Sequence, residues 1–354
     1  MVETADYLDY PPKTKNELCD DLELLSPPGL CIDRASKSAL CDSLELVSPP
    51  GLCIDRANRA ELNAAFTSLE GIPISIPPLK RAYFAGSARY YAVAAAAAGK
   101  IYLGTGYNNV YYKDWWEYNP SNDTWIQKTD FPGTGRHSAV AVTVNDKIYF
   151  GLGRDPILNL DWWEYDPSND TWTPKTDFPS TARYGAVAVA FNGKIYVGAG
   201  YGVGYRIDWF EYDPVGNSWI TKTSLPPPGR RYACAAAAGG KIYLICGFSG
   251  LYLNDFDEYD PVGDSWIQKS DFPGVKRHSA LAAPLNDKIY VFTGYGPGYL
   301  SDCWEYDPVG DSWTQIADIG GRARSYAVAA FLNNKIFLGT GYDGKFLDSF
   351  WWHL

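Results

Sequence analysis

Residues 181–226 read TARYGAVAVAFNGKIYVGAGYGVGYRIDWFEYDPVGNSWITKTSLP, and this stretch decides the fold. The run RYGAVAVAF is short and apolar, as in a fully buried strand, and GKIYVGAG is a second β-rich run after a tight Asn-Gly turn. IDWFEYDP alternates aromatic and polar residues, and SWITKT has the polar character of an outer strand. The stretch therefore predicts a four-stranded antiparallel sheet.

The same pattern recurs along the chain with a period of 47 residues. A tryptophan marks the period at Trp125, Trp172, Trp219, Trp266 and Trp313. An arginine marks it at Arg89, Arg136, Arg183, Arg230, Arg277 and Arg324. A four-stranded unit repeated in this way is typical of the blades of a β-propeller. Small Ala, Gly and Val side chains suit the strand nearest the axis, where blades converge, and Tyr and Trp suit the wider gaps between blades.

The glycine pairs, the aromatic strand that follows them and the Tyr-x6-Trp spacing resemble the Kelch repeat. Most units carry Gly-x-Gly where that repeat usually has Gly-Gly. These are Gly104-Thr-Gly106, Gly151-Leu-Gly153, Gly198-Ala-Gly200 and Gly339-Thr-Gly341. The resemblance covers residues 79–354 and implies an all-β Kelch propeller.

The two ends of this region predict the number of blades. The sequence DSFWWHL at 348–354 matches the third strand of a unit, and no outer strand follows it. PLKRAYFAGSAR at 78–89 aligns with the outer strand of the next unit, with Phe84 on Phe131. We therefore expect an amino-terminal strand to complete the last blade of a six-bladed ring, within a domain at 76–354. Closure of this kind removes exposed sheet edges.

A second repeat occupies an acidic arm at 1–75. Residues 18–35 read LCDDLELLSPPGLCIDRA and residues 40–57 read LCDSLELVSPPGLCIDRA, which gives a period of 22. A third copy is degraded. Apolar residues at i, i+4 and i+7 predict one apolar stripe on each of three short helices. The stripe residues are Leu18, Leu22, Leu25, Leu40, Leu44, Val47, Leu62, Phe66 and Leu69.

Helices this short are marginal in isolation, so the three apolar faces must pack against something. One interpretation is a small cap that shields part of the propeller. The other is a docking element whose repeated helices bind repeated grooves of an assembly, because linked weak sites gain effective concentration. We take the second as the prediction for 1–75. Whether the arm cysteines pair is left open.

Charge and composition exclude several classes of partner. The net charge is −10, of which residues 1–75 carry −7, so binding of nucleic acid through a basic face is not expected. The opening MVETADYLDYPPK has no signal-peptide pattern, and the most apolar run, at 92–98, is too short to span a bilayer. The seven cysteines lack zinc-site spacing and are expected to be reduced thiols. These features favour a virion or cytoplasmic assembly over secretion or membrane insertion.

The search for catalytic motifs finds no nucleophile elbow, phosphate loop or HExxH zinc motif, so we predict no enzymatic activity, no metal and no cofactor. His137 and His278 lie three units apart, on opposite sides of a six-bladed ring, and cannot share a metal. The glutamates that recur in phase are expected to be structural: Glu117, Glu164, Glu211, Glu258 and Glu305. The repeated arginine is likewise expected to donate hydrogen bonds to neighbouring loops.

Two positions of each repeat are predicted to reach the ligand-binding face that Kelch propellers commonly use. One follows the repeated arginine, at Tyr90, His137, Tyr184, Arg231, His278 and Ser325. The other follows the glycine pair, at Tyr107, Arg154, Tyr201, Phe248, Tyr295 and Tyr342. Tyr and Arg suit a protein segment, and aromatic rings also stack on sugars. Alternatively, these rings only plug the mouth of the channel.

Three functions compete at this stage. The first is a non-enzymatic protein-binding and structural module, displayed by its arm in a larger assembly such as the surface of a virus or phage particle. The second is a carbohydrate-binding protein or an enzyme that resembles the six-bladed sialate mutarotases. The third, a ubiquitin-ligase substrate adaptor, would require BTB or F-box sequence, which residues 1–75 do not contain.

Overall fold

The computed structural model describes residues 79–318 and 322–353, all of whose regular structure is β-strand. The predicted arm helices and their nine apolar residues lie outside the described residues. Each repeat unit contributes an antiparallel sheet in which neighbouring strands along the chain pair with one another. The all-β propeller prediction is therefore confirmed.

Strands that hold the same place in successive sheets are four or five residues long in most repeats. The inner strands are β2 (Val93–Ala97), β6 (Val140–Val144), β10 (Val187–Phe191), β16 (Cys234–Ala238), β20 (Leu281–Leu285) and β24 (Val328–Leu332). The second strands are β3 (Lys100–Gly104), β7 (Lys147–Gly151), β11 (Lys194–Gly198), β17 (Lys241–Phe248), β21 (Lys288–Phe292) and β25 (Lys335–Gly339).

The two outer positions follow the same order. The third strands are β4 (Trp115–Asn119), β8 (Trp162–Asp166), β14 (Trp209–Asp213), β18 (Tyr252–Asp260), β22 (Cys303–Asp307) and β26 (Phe350–His353). The outer strands are β5 (Thr124–Lys128), β9 (Thr171–Lys175), β15 (Ser218–Lys222), β19 (Ser265–Gln268), β23 (Ser312–Ile316) and β1 (Leu79–Lys80). Strands β12 (Tyr201–Gly202) and β13 (Gly204–Tyr205) form a separate two-stranded ribbon.

Five of the four-stranded sheets are continuous along the chain, whereas the remaining sheet has the order β1-β26-β25-β24. In that sheet Leu79 pairs with Trp352 and Lys80 pairs with Trp351. The predicted pairing of an amino-terminal strand with the last repeat is thus present. Phe84, just after β1, is 3% exposed and packs edge-on against Trp125 of the first repeat. The amino-terminal segment therefore connects the first and last repeats.

The hydrophobic core lies between adjacent blades. Alternate small side chains of the inner strands are buried, while bulky rings fill the space farther out. Trp219, for example, donates its indole N–H to the carbonyl of Thr176 in the previous repeat at 2.9 Å, and its ring contacts that of Trp162 at 5.2 Å. The predicted division between small inner and large outer residues is confirmed.

Blade four, which comprises β16 to β19, departs from this regularity. Its second and third strands extend past a β-bulge between Ile245 and Gly247 into the loop that joins them. Asp257 stands at the position that Phe210 and Trp304 hold in the neighbouring repeats, and it is 3% exposed. Burial raises the pKa of this carboxyl to about 6, although the Arg230 guanidinium, 3.5 Å away, acts to lower it. The substitution places a carboxylate where the neighbouring repeats carry the aromatic rings of Phe210, which is buried, and Trp304, which is partly buried.

Candidate binding face at the propeller axis

The repeated arginines hold the loops that form one end of the propeller. Arg183 is fully buried, donates to the carbonyl of Ala199 at 3.0 Å and forms two bonds to the Asp208 carboxylate, at 2.5 and 2.6 Å. A two-pronged contact of this kind fixes geometry as well as charge. The prediction that these arginines are structural donors is confirmed. They support the site but do not form its surface.

The last repeat keeps the repeated arginine, Arg324, but has no aspartate at the position of its usual partner. Ser349 stands where Asp208 and its equivalents lie in the other repeats. Arg324 still donates to the carbonyl of Thr340, at 2.7 Å. Burial lowers the pKa of Arg324 to about 10, an effect that the carboxylate of Asp343 opposes. The loop geometry is thus retained with a different electrostatic balance.

The second glycine of each pair is required where two loops meet. Gly200 has φ of 94°, and a Cβ there would lie 3.1 Å from the carbonyl oxygen of Tyr184. Its amide donates to the carbonyl of Arg230 in the next repeat at 2.7 Å. Only glycine combines this backbone conformation with so close an approach. The glycine pair therefore aligns neighbouring loops around the axis.

The structure brings the two predicted ligand-face positions together in every repeat. Each residue after the arginine forms an antiparallel backbone bridge with the residue after the glycine pair. The bridged pairs are Tyr90–Tyr107, His137–Arg154, Tyr184–Tyr201, Arg231–Phe248, His278–Tyr295 and Ser325–Tyr342. All twelve thus belong to one set of loops at one end of the propeller, which we call the tyrosine face. Their role in binding stays a prediction.

A further ring of residues, which the sequence analysis missed, lies closer to the axis. It consists of Tyr91, Ser138, Gly185, Tyr232, Ser279 and Tyr326, all with φ between 53° and 62°. Backbone amides in this ring donate to carbonyls of the neighbouring repeat, as in Ser138 to Tyr91 at 3.1 Å and Ser279 to Tyr232 at 2.8 Å. Left-handed backbone is uncommon for residues other than glycine. Its recurrence shows that the geometry of the ring is imposed by the arrangement of the blades.

Three tyrosines of this ring fill the axis. The rings of Tyr91 and Tyr326 lie 4.1 Å apart, and that of Tyr232 lies 5.3 Å from Tyr91. They line a cavity of about 170 Å³ together with the alanines that immediately precede the inner strands. Burial is the largest cause of the raised pKa of all three hydroxyls, so they are neutral at physiological pH. None of the twelve predicted residues lines this cavity, and the alternative that those twelve plug the mouth of the channel stays a prediction.

A third aromatic position, also missed, lies farther from the axis. Its members are Tyr111, Leu158, Tyr205, Tyr252, Tyr299 and Phe346, spaced 47 residues apart. Tyr111 stacks on His137 at 5.6 Å, and Tyr299 contacts Tyr295 at 5.2 Å. Beside this position, exposed aliphatic residues occupy the loop tips of four repeats. They are Val110, Ile157, Val203 and Leu251, each more than half exposed.

The two histidines of the face are neutral. Burial lowers the pKa of His137 to about 4, with a further contribution from Arg154. Burial likewise lowers the pKa of His278 to about 4, with a contribution from Arg231. Both rings are surrounded by tyrosines, which do not stabilise an added positive charge as a carboxylate would. The histidines therefore act as aromatic hydrogen-bonding groups at neutral pH.

The recurrent glutamates lie within the blades, away from the tyrosine face. Glu164 accepts a hydrogen bond from the Tyr149 hydroxyl at 2.8 Å and pairs with Lys147 at 2.7 Å and Lys175 at 2.9 Å. Tyr–Glu hydrogen bonds also form in other repeats, as between Tyr196 and Glu211 at 2.9 Å. The prediction that these glutamates are structural is confirmed.

The remaining side chains offer little metal or redox chemistry. Within residues 79–318 and 322–353, no three His, Cys, Asp or Glu side chains are placed to hold a metal ion. Cys234, Cys246 and Cys303 are free and buried, and burial raises their thiol pKa. A buried thiol with a raised pKa is unreactive. In the same part of the chain, no helix has the length and apolar character needed to cross a membrane.

Comparisons with known proteins agree with this architecture. The Kelch motif matches residues 229–273 and 276–320. The solved structure of YjhT superimposes with a TM-score of 0.64 at 18% sequence identity, covering 76% of this chain and 94% of that one. At this identity the likeness is one of fold. No curated protein sequence matches the chain. The chain therefore contains Kelch motifs in two of its repeats, within a fold of repeated four-stranded blades that it shares with YjhT.

Proposed function

We propose that this protein is a non-enzymatic binding module, a six-bladed Kelch propeller whose tyrosine face binds a segment of a partner protein. Residues 1–75 anchor it in a larger assembly, either a virion or a cytoplasmic complex. The observation that carries the proposal is the composition of the face. Half-buried tyrosines surround the axis, and exposed aliphatic residues lie at the loop tips of four repeats.

Such a surface favours protein over other ligands. Tyrosine combines a large apolar area with a hydroxyl and loses little entropy on binding, so it is enriched at interface hot spots. Exposed apolar side chains such as Ile157 and Leu251 are available for contact with a partner, and clusters of such groups are typical of interaction sites. The neutral histidines and the blade-bound glutamates support a binding role over acid–base catalysis, because neither set forms a catalytic pair at the face.

Binding is tested by selecting short peptides from a displayed random library on the full-length protein. Tyr295→Ser and Tyr299→Ser should each weaken the selected peptides by about tenfold or more, since each removes a large contact. Ile220→Ser and Ile267→Ser are the matched controls, because these residues are exposed on outer strands and not on the face. Equal loss in face and control variants would refute the proposal, as would failure to select any peptide.

Anchoring through residues 1–75 is tested separately. Leu22→Asp, Leu44→Asp and Phe66→Asp interrupt the predicted apolar stripes. We expect the triple variant to be lost from the particle or complex that contains the protein, while the thermal unfolding of the propeller is unchanged. Retention in the assembly would contradict a docking role and favour the alternative of a cap.

The alternative function is a carbohydrate-binding or sialate-mutarotase-like propeller. It draws support from the aromatic rings and the Arg231 guanidinium near the axis, a combination that also suits an acidic sugar. The test is the rate at which the two anomers of N-acetylneuraminic acid interconvert, followed by NMR. We expect the rate with protein to equal the rate in buffer. An acceleration that Arg231→Tyr abolishes would replace the binding proposal with the enzymatic one.

A further inference from the structure

Arg231 lies in an aromatic cage at the tyrosine face. Its guanidinium carbon is between 5.3 and 6.0 Å from the centres of five rings. These rings belong to Tyr184, Tyr201, Tyr205, Tyr232 and Phe248. Ring faces attract a cation, so the cage stabilises the positive charge and holds the side chain in place. The acceptors that these side chains supply are tyrosine hydroxyls and not carboxylates.

The donors of Arg231 are mostly unused. A guanidinium has five N–H donors, and one of the Nη1 donors is taken by the hydroxyl of Tyr184. The Nε–H is buried without a partner. The Nη2 group has no hydrogen-bond partner in the described part of the chain and remains accessible to solvent. The side chain is therefore positioned for an acceptor that the described residues do not supply.

This arrangement differs from those of the other arginines in the same loops. Arg183 is paired with Asp208, and Arg322 forms an ion pair with Asp343 at 2.8 Å. Within residues 79–318 and 322–353, neither Arg231 nor Arg154 has a carboxylate within salt-bridge distance. Both guanidinium carbons lie within 6 Å of the Tyr184 ring centre, at 5.8 Å for Arg154 and 5.4 Å for Arg231. The two cations thus flank one ring.

The charge of Arg231 has no counterpart at its position in the other repeats. The equivalent residues are Tyr90, His137, Tyr184, His278 and Ser325. The two histidines have pKa values of about 4 and are neutral at physiological pH. One side of the tyrosine face therefore carries the cation of Arg231, while on the side around Tyr295 and Tyr342 the charges of Arg322 and Asp343 are paired with each other. A ligand that spans the axis would meet different chemistry at its two ends.

We infer that Arg231 binds a carboxylate of the partner segment, so that the segment carries an Asp, a Glu or its own carboxyl terminus beside apolar residues. A carboxylate is the best acceptor for planar guanidinium donors, and a pair fixed in a cage is more directional than one formed by lysine. The exposed Val110, Ile157 and Leu251 favour a protein segment over an acidic sugar, which has no aliphatic side chains to place against them. The inference rests on the proposed function.

The test uses the peptide selection described above, run in parallel on the wild-type protein and on Arg231→Tyr. Tyrosine occupies this position in two other repeats, so the variant should keep its fold; circular dichroism and thermal unfolding check this. Peptides selected on the wild type should be enriched in Asp or Glu at one position, and this enrichment should disappear with the variant.

A double-mutant cycle then localises the contact. Replacing the enriched Glu by Gln in a selected peptide should weaken its binding to the wild type by about 10–100-fold, the range for a hydrogen bond to a charged group. The same replacement should change binding to Arg231→Tyr by less than about twofold. Arg154→Met is the second variant. If replacing Glu by Gln weakens peptide binding to this variant as much as binding to the wild type, the carboxylate is assigned to Arg231 and not to Arg154.

Each outcome decides between the two proposals. Peptides that bind the tyrosine face without acidic enrichment would overturn the role of Arg231 and leave the binding function intact. An equal effect of Glu→Gln in wild type and Arg231→Tyr would overturn it as well. If no peptide binds, and an array of carboxylated glycans gives binding that Arg231→Tyr abolishes, the protein partner itself is wrong.

Discussion

The body of the blades and the tyrosine face share one period of 47 residues but use it in opposite ways. In the body, the same side chain makes the same bond in successive repeats, as with Arg183–Asp208 and Arg277–Asp302. On the face, the backbone bridges recur while the side chains change, from Tyr184 to Arg231 to His278. Repeated chemistry therefore indicates architecture, and varied chemistry on a repeated backbone indicates binding.

Removing a repeated contact should have the largest effect on stability. Arg183→Met leaves the Asp208 carboxylate without its buried partner, and loss of one member of such a pair costs about 3–5 kcal/mol. Chemical denaturation of the full-length protein measures this. Arg154→Met is the matched control, since Arg154 is exposed on the face, and it should change stability by less than about 0.5 kcal/mol. Similar losses in both variants would contradict the division between body and face.

Restoring an aromatic residue at the position of Asp257, where blade four departs from the repeat, should stabilise the protein, by less than the loss expected for Arg183→Met. Asp257→Phe places the residue of the neighbouring repeat in a site where a carboxylate is now buried. We expect a gain of about 1–3 kcal/mol at pH 7, the usual penalty of a poorly satisfied buried polar group. Asp255→Asn is the control: it removes the same charge from an in-phase partner of Arg230, 3.1 Å away, and should be destabilising.

The gain from Asp257→Phe should also depend on pH. The carboxyl pKa is raised from 3.8 to about 6 by burial, so between these values the folded protein retains a proton that the unfolded chain has lost. The stability of the wild type therefore falls as pH rises through this range. The advantage of the variant should be small at pH 4 and larger above pH 6. A constant advantage would mean that packing, and not the charge, explains the gain.

The smallest effect is expected from the histidines of the face. Their pKa values fall from 6.5 to about 4, so on acidification the unfolded chain takes up protons before the folded protein does. Stability due to these groups is therefore lost as pH falls from about 6.5 to 4. The double variant His137→Tyr with His278→Tyr should be less sensitive to acid in that window. Denaturation midpoints at pH 7 and pH 4.5 measure the difference, and equal slopes for both proteins would contradict it.

The sequence predicted what depends on repetition. Trp219 and its equivalents indicated the period, and the aromatic strand indicated the blade. The match of residues 78–89 to an outer strand predicted that the amino-terminal strand pairs with the last repeat, as Leu79 does with Trp352. The twelve face positions were predicted because each follows a marker residue directly. They are brought together in bridged pairs because the loops themselves repeat.

What the sequence did not predict depends on distances between repeats. Tyr91, Tyr232 and Tyr326 are in phase with Ser138, Gly185 and Ser279, so the position appears unremarkable in a single unit. Their role emerges only when loops of different repeats meet at the axis. The cage around Arg231 likewise needs rings from two repeats, and no local pattern shows that this arginine has no carboxylate partner among the described residues. Inspection of every in-phase position near the arginine would have found the axial ring.

The sheet that joins β1 to β26 also bears on how the protein is made. A ribosome releases β1 first and β26 only after all the intervening repeats, so the pairing of Leu79 with Trp352 is among the last contacts available to the growing chain. Until then β1 has no partner strand and the last sheet lacks its outer strand, and unpaired edges favour aggregation. Nascent chains halted before β26 should therefore depend on chaperones, whereas the finished chain, once closed, should not.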